Sequence, residues 1–311
     1  MTSGRTGVLV MAYGTPASYE EVEAFYTEVR RGRPPSPEQL SELEGRYAAV
    51  GGTSQLAERT RAQVAGIQAA LDEASPGRYE CRFGAKHAAP RIEQAVEELA
   101  RLEVDGLVGL VLAPHYSAAS VGEYIERARK RAGELGLESA FVEDWHTEAT
   151  YLSLLSERVE EAYRCLGVGP EDPATELLVT AHALPLRVIE AGDGYDRRLE
   201  ETARLVASMT GAASYRVCWQ SAGRTPEPWM GPDILQVLRG LRAEGMRRAV
   251  VCPAGFTSDH LEVNYDIDID ARRVAEESGI ELVRTTSLND DRRLCAALAR
   301  LVVGAGAELR G

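Results

Sequence analysis

A chain of 311 residues, 44% of them hydrophobic, is long enough for two cores, because a single core rarely grows beyond roughly 250–300 residues. Its formal net charge of −13 excludes nucleic acid as the main partner, since phosphate binding needs a concentrated basic surface. No stretch approaches the roughly 20 uninterrupted apolar residues of a membrane span, so a soluble, cytoplasmic chain without integral membrane contact is expected.

In chain order, short β-rich runs ending in Gly or Pro alternate with helical patterns of 12–18 residues, the signature of βαβ units and parallel sheets. The first run, Gly7–Pro16, is followed by a helix with an acidic start at Glu20 and Glu21, closing at the basic loop Arg30, Arg31 and Arg33. Arg46 and Tyr47 then precede the flexible run Gly51–Ser54. Arg and Tyr with Ser suit a clamp for ligand carboxylates, although helix capping and a plain loop explain the same residues. Further runs fall at Tyr79–Pro90, Gly106–Pro114 and Ala140–Asp144.

A helix over 148–164 opens a second half that echoes the first. Gly7–Pro16 overlays Glu176–Pro185, Tyr79–Pro90 overlays Tyr215–Pro226, and Gly106–Pro114 overlays Gly245–Pro253, all without gaps and in the same order. The expected fold is α/β: two similar Rossmann-like, doubly wound domains, each with a parallel four-stranded sheet, facing across a cleft. Residues 1–145 plus 291–311 form one half and 146–290 the other, with the final helix, 291–303, crossing back. Ligands of open α/β sheets bind beyond the carboxyl ends of strands, so the overlay sets Tyr13 opposite His182.

The segment Ser258–Gly279 reads as one helix, with Glu262 three residues after Asp259 in capping-box fashion and Gly279 past its end. Glu262, Asp266 and Asp270 recur every four residues, stacking three carboxylates on one face. Two readings stand: a wet face partly neutralised by Arg272 and Arg273, with Asp268 paired to Arg272, or a cation path. Glu262 starts its helix beside the strand from which His182 emerges. Carboxylate plus imidazole suits a divalent first-row metal with open coordination positions, and neutral imidazole also accepts protons at pH 7. His182 alone could equally be a hydrogen-bonded structural residue. His87, His115 and His146 are weaker candidates. Trp219 and Trp229 lie in a Pro-rich stretch whose rings suit either a core or a planar ligand. The five cysteines are scattered without C-x-x-C pairs, so neither a disulfide framework nor a metal cage is signalled.

Taken together, Val10–Pro16, Arg30–Arg33, Gly51–Ser54, Gly84–His87, Leu112–Ser117, Thr180–Pro185, Cys218–Pro232 and Gly255–Asp266 resemble the ferrochelatases over nearly the whole chain. Among them the chain is most similar to the soluble, monomeric coproporphyrin type. The resemblance implies insertion of Fe2+, as substrate, into coproporphyrin III during haem biosynthesis. It places the metal-site His and Glu on His182 and Glu262, and the tyrosine that contacts iron on Tyr13. It places porphyrin binding on Tyr13, Arg30, Arg46, Tyr47, Ser54 and Tyr124, with Asp266 and Asp270 as a metal path. The C-terminal stretch holds only Cys295, so no [2Fe–2S] cluster is expected. The polar segment from Gly32 to Gly51 favours coproporphyrin over protoporphyrin IX. Partners beyond porphyrin and Fe2+ are expected to be transient contacts with haem-pathway enzymes. A protoporphyrin ferrochelatase, a sirohydrochlorin-type cobalt or nickel chelatase, and a haem-binding module are the alternatives.

Overall fold

The computed structural model describes residues 4–53, 55–223 and 225–309, which form two compact units. The first comprises residues up to Ala113, Ser120–Asp144 and the stretch from Asn289; the second comprises Pro114–Ala119 and Trp145–Leu288. Among the described residues no helix is long and apolar enough to cross a membrane.

The first unit holds β1 (Thr6–Ala12), β2 (Tyr79–Ala85), β3 (Gly106–Val111) and β4 (Ser139–Val142) in a parallel sheet of order β2-β1-β3-β4. The second holds β5 (Thr175–His182), β6 (Tyr215–Gln220), β7 (Arg248–Cys252) and β8 (Glu281–Arg284), also parallel, in the order β6-β5-β7-β8. The central strands are apolar runs buried along nearly their whole length, as strands covered by helices on both faces must be. The expected pair of doubly wound four-stranded sheets is therefore present, with the same strand order in each.

The internal echo holds in order but slips in register. If Gly7 corresponds to Glu176, the sheet pairings make Ser214 the counterpart of Glu80 and Ala249 the counterpart of Leu107. The sequence overlays assign Arg216 and Met246 instead. A slip of two residues keeps each side chain on its own face of the sheet, whereas a slip of three reverses it. Buried parallel strands are apolar on both faces, so their sequences carry no alternation to fix the register.

The last helix, Arg292–Glu308, belongs to the first unit, where Gln63 Nε2 donates to the Asn289 carbonyl at 2.9 Å. In the second unit, one core joins Leu178, Cys218, Val251 and the helix Ile234–Leu241 to Val263, Ile267, Ala271, Val274 and Ala275. These last five form an apolar stripe that seats the segment from Leu261 on the sheet.

That segment is not one regular helix. It runs α-helical over Leu261–Asn264, π-helical over Asp266–Ala271 and α-helical again over Arg272–Glu277, with Gly279 at φ 68° beyond its end. The Asp270 amide reaches back five residues to the Tyr265 carbonyl at 3.0 Å, the bond that defines the wider turn. The N-cap that a capping box of Asp259 with Glu262 implies falls one residue later. His260 is the N-cap residue and makes no side-chain cap, while Asp259 accepts from Ser287 at 2.7 Å.

Candidate functional site

His182 closes β5, and Glu262 sits in the first turn of the helix Leu261–Asn264 that follows β7. The two meet: His182 Nδ1 lies 3.0 Å from Glu262 Oε2. Their side chains are 36% and 29% exposed, so the pair is held by the fold yet open to a small ligand. An ionised carboxylate only accepts, so Nδ1 carries the hydrogen and Nε2 of the neutral ring is left as the acceptor. Burial alone would lower the His182 pKa. The negative charge and hydrogen bond of Glu262, with Asp266 adding, overcome it and leave the pKa raised.

Around this pair lies a layer of orienting contacts. The Tyr195 hydroxyl donates to the His182 carbonyl at 3.2 Å. Gln220, buried at the end of β6, accepts from Thr180 Oγ1 at 2.8 Å and donates to the Glu262 carbonyl at 3.0 Å. Neighbouring Ser221, at φ 60°, donates a short hydrogen bond to Asp266. His260 Nδ1 donates to the Ser258 carbonyl at 2.9 Å, so its Nε2 is the acceptor, 4.0 Å from Glu262 Oε2. Burial lowers the His260 pKa and the neighbouring His182 adds to this, against the pull of Glu262 and Asp259. His260 therefore stays neutral more readily than His182.

The acidic ladder divides by partner. Asp266 is buried beside Ser221. Asp268 pairs with Arg284 through two contacts of 2.8 Å, not with Arg272. Asp270 lies 3.8 Å from Arg273. The expected stack of three equivalent carboxylates thus becomes one on His182, one on Ser221 and one beside a surface arginine. Among the described residues, no group of three or more His, Cys, Asp or Glu side chains gathers around one metal position.

In the first unit, Tyr13 follows β1 and is 40% exposed, with His87 at 4.8 Å and Phe25 at 6.3 Å between ring centres. Burial and the adjacent Lys86 charge push the His87 pKa down to about 4, so this imidazole is neutral at pH 7. Lys86 Nζ lies 2.5 Å from Glu123 and 5.1 Å from the centre of the Tyr124 ring. Arg30 stacks on Tyr26 at 5.4 Å and donates to the Arg33 carbonyl at 3.2 Å. Arg46 and Tyr47 lie in the last turn of the helix Pro37–Ala49, and the Gly52 amide returns to the Tyr47 carbonyl at 2.8 Å. That bond brings the glycine loop to the Arg-Tyr pair, as its sequence proximity suggests. Tyr47 and Tyr124 are each only 5% exposed, and Ser54 lies outside the described residues.

Of the other candidates, His115 Nε2 bonds Thr202 Oγ1 at 2.9 Å and His146 Nε2 bonds Glu201 at 3.0 Å, both within the second unit. Trp219 is buried against Tyr195 at 5.5 Å, a core residue, whereas Trp229 Nε1 donates to Thr225 at 2.9 Å. Tyr195, Ser221 and His260 are absent from the sequence expectations. Only His260, two residues before Glu262, carried a signal that could have found it.

The ferrochelatase family model matches residues 5–305. A coproporphyrin III ferrochelatase of Geobacillus thermodenitrificans is 42% identical over 97% of this chain and 96% of its own length. One of Bacillus subtilis is 40% identical over 97% and 98%. Solved structures share the fold at low identity: SirB from Bacillus subtilis with Fe3+ has a TM-score of 0.63 at 12% identity, covering 99% of this chain and 98% of that one. CbiX, from siroheme biosynthesis in denitrifying bacteria, has a TM-score of 0.54 at 13% identity, covering 97% and 99%. A family match over nearly the full length, with relatives at this identity, establishes that the chain belongs to the ferrochelatase family.

Proposed function

We propose that this ferrochelatase inserts ferrous iron into coproporphyrin III, the substrate named for its relatives, as a step of haem biosynthesis. The observation that carries the reading is the 3.0 Å contact of His182 Nδ1 with Glu262 Oε2 at the end of β5. Insertion must remove two pyrrole N–H protons while the ion sheds water. A neutral imidazole presenting Nε2, made more basic by a carboxylate on its far nitrogen, is suited to accept one of them and to meet the metal. Asp266 supplies a further negative charge near His182, and Asp270 lies farther along the same segment as the outer end of a path for the hydrated cation.

Tyr13, with its exposed ring, is a proposed contact to iron or the macrocycle. Arg30, Arg46, Tyr47, Ser54 and Tyr124 are the proposed carboxylate-binding residues; burial of Tyr47 and Tyr124 restricts them to hydrogen bonding rather than ring stacking. Iron is a substrate in this account, and no resident cluster is invoked. All five cysteines are free thiols, which fits a reducing, cytoplasmic setting.

The His182 pKa gives the test. Because the folded value is raised, activity should fall as pH drops through an inflection above 6.5, where the ring takes a proton and stops accepting one. Glu262→Gln removes the charge that opposes burial, so its inflection should move to lower pH, with the plateau reduced roughly 10–100-fold. A Glu262→Gln profile with an unmoved inflection would refute the assigned coupling.

A further inference from the structure

The loop that follows β2 is fastened at its first residue. The Lys86 carbonyl accepts from Arg127 Nη1 at 2.8 Å and from Arg91 Nη1 at 3.0 Å, so both of its lone pairs meet a guanidinium. Each cation is braced in turn. Arg127, on the helix Val121–Glu134, grips Glu93 with Nε and Nη2 at 2.7 and 2.8 Å, a two-pronged geometry that fixes the guanidinium plane. Arg91 directly precedes the helix Ile92–Arg101 and donates to Glu28 at 2.8 Å, near the end of the helix Val22–Val29. Three helices of the first unit thus converge, through two ion pairs, on a single main-chain oxygen.

The same loop holds Tyr13. The pairing of β1 with β2 ends at Ala12 and Ala85, so the sheet no longer fixes the residue that follows. The loop continues the work: the Lys86 amide donates to the Ala12 carbonyl at 2.9 Å and the His87 amide to the Tyr13 carbonyl at 3.0 Å. One residue on, Ala88 closes against the turn. A Cβ at Gly14, where φ is 90°, would stand 2.8 Å from Ala88 Cβ. The His87 ring also lies 4.8 Å from the Tyr13 ring between centres. Water could satisfy the Lys86 carbonyl as well as an arginine does, but water would leave it mobile; two braced guanidinium groups hold it still.

We infer that Arg127 and Arg91 are positioning residues for metal insertion: by clamping the Lys86 carbonyl they fix the 86–88 loop, and through it the main chain and ring of Tyr13. The inference rests on the reading of Tyr13 as a contact to iron or the macrocycle.

Amide hydrogen exchange and a double-mutant cycle, both on the full chain, test it. In Arg127→Met the Lys86 and His87 amides should exchange about tenfold faster or more, while those of Val108 and Leu110 in the central strand β3 stay unchanged. At saturating coproporphyrin III, Arg127→Met should lower the rate of iron insertion about fivefold or more with Tyr13 present, and less than about twofold in a Tyr13→Ala background. Glu93→Gln, which releases the Arg127 guanidinium and keeps the side-chain shape, serves if Arg127→Met does not fold. Unchanged exchange at both amides, or an equal loss of rate in the two backgrounds, would overturn the positioning role and leave the reading of Tyr13 standing. A Tyr13→Ala protein that inserts iron at the wild-type rate would overturn that reading, and the positioning role with it.

Discussion

Replacing His182 by alanine is expected to lower the rate of ferrous iron insertion by roughly 10²–10⁴-fold, the range for loss of a positioned general base. The fold should survive, because the apolar residues Leu177, Leu178, Val179 and Ala181 anchor β5 in the core while the His182 side chain is 36% exposed. Glu262 then loses its imidazole partner at a site where water can replace it. A thermal melt alongside stopped-flow metalation separates the two effects: the melt should move by only a few degrees while the rate collapses. A near-normal rate in His182→Ala would place the acceptor elsewhere, with Tyr13 the next candidate.

The second large effect is steric and lies one strand away. A Cβ at Gly255 would stand 2.4 Å from Ala181 Cβ and 2.8 Å from Ala181 Cα, so the clash is with the backbone of β5. The Gly255 amide is also tied to the Thr180 carbonyl at 3.0 Å. β5 is a central strand, paired on both sides, and cannot retreat. Gly255→Ala should therefore cost roughly 1–3 kcal/mol, as other overpacked cores do, against a typical total of about 5–15 kcal/mol. In a unit of about 150 residues, such as the one that holds Gly255, that lowers the melting temperature by roughly 2–12 °C. Ala181 directly precedes His182, so iron insertion should fall at least tenfold in protein that is still folded. Unchanged melting and activity would show that this close approach relaxes freely.

These two variants also mark how far the sequence can be read. Alternation of β-rich runs with helical patterns, Gly and Pro at strand ends, and the echo between halves are local signals, and the paired sheets follow from them. His182 and Glu262 meet because each sits at a strand or helix end whose place in a parallel sheet is fixed by topology. The helix after Gly255 defeats the same approach. Acids four residues apart suggest an α-helical stack, but apolar Val263, Ile267 and Ala271 share that spacing and are accommodated just as well by a π-helical turn. The choice is made by the fit of that stripe on the sheet and by Ser221 and Arg284, which are distant in sequence from the acids they hold. Tyr195 and Gln220 act on the site through main-chain carbonyls, and a contact to a carbonyl leaves no trace in the partner's identity.

The most direct test of the central claim is a competition in which wild-type protein meets limiting anaerobic Fe2+ and equal coproporphyrin III and protoporphyrin IX, with both products followed by absorbance. Many equivalents of iron coproporphyrin III per chain, in large excess over iron protoporphyrin, are the predicted result. Saturation at one equivalent, or preferential metalation of protoporphyrin IX, would contradict it.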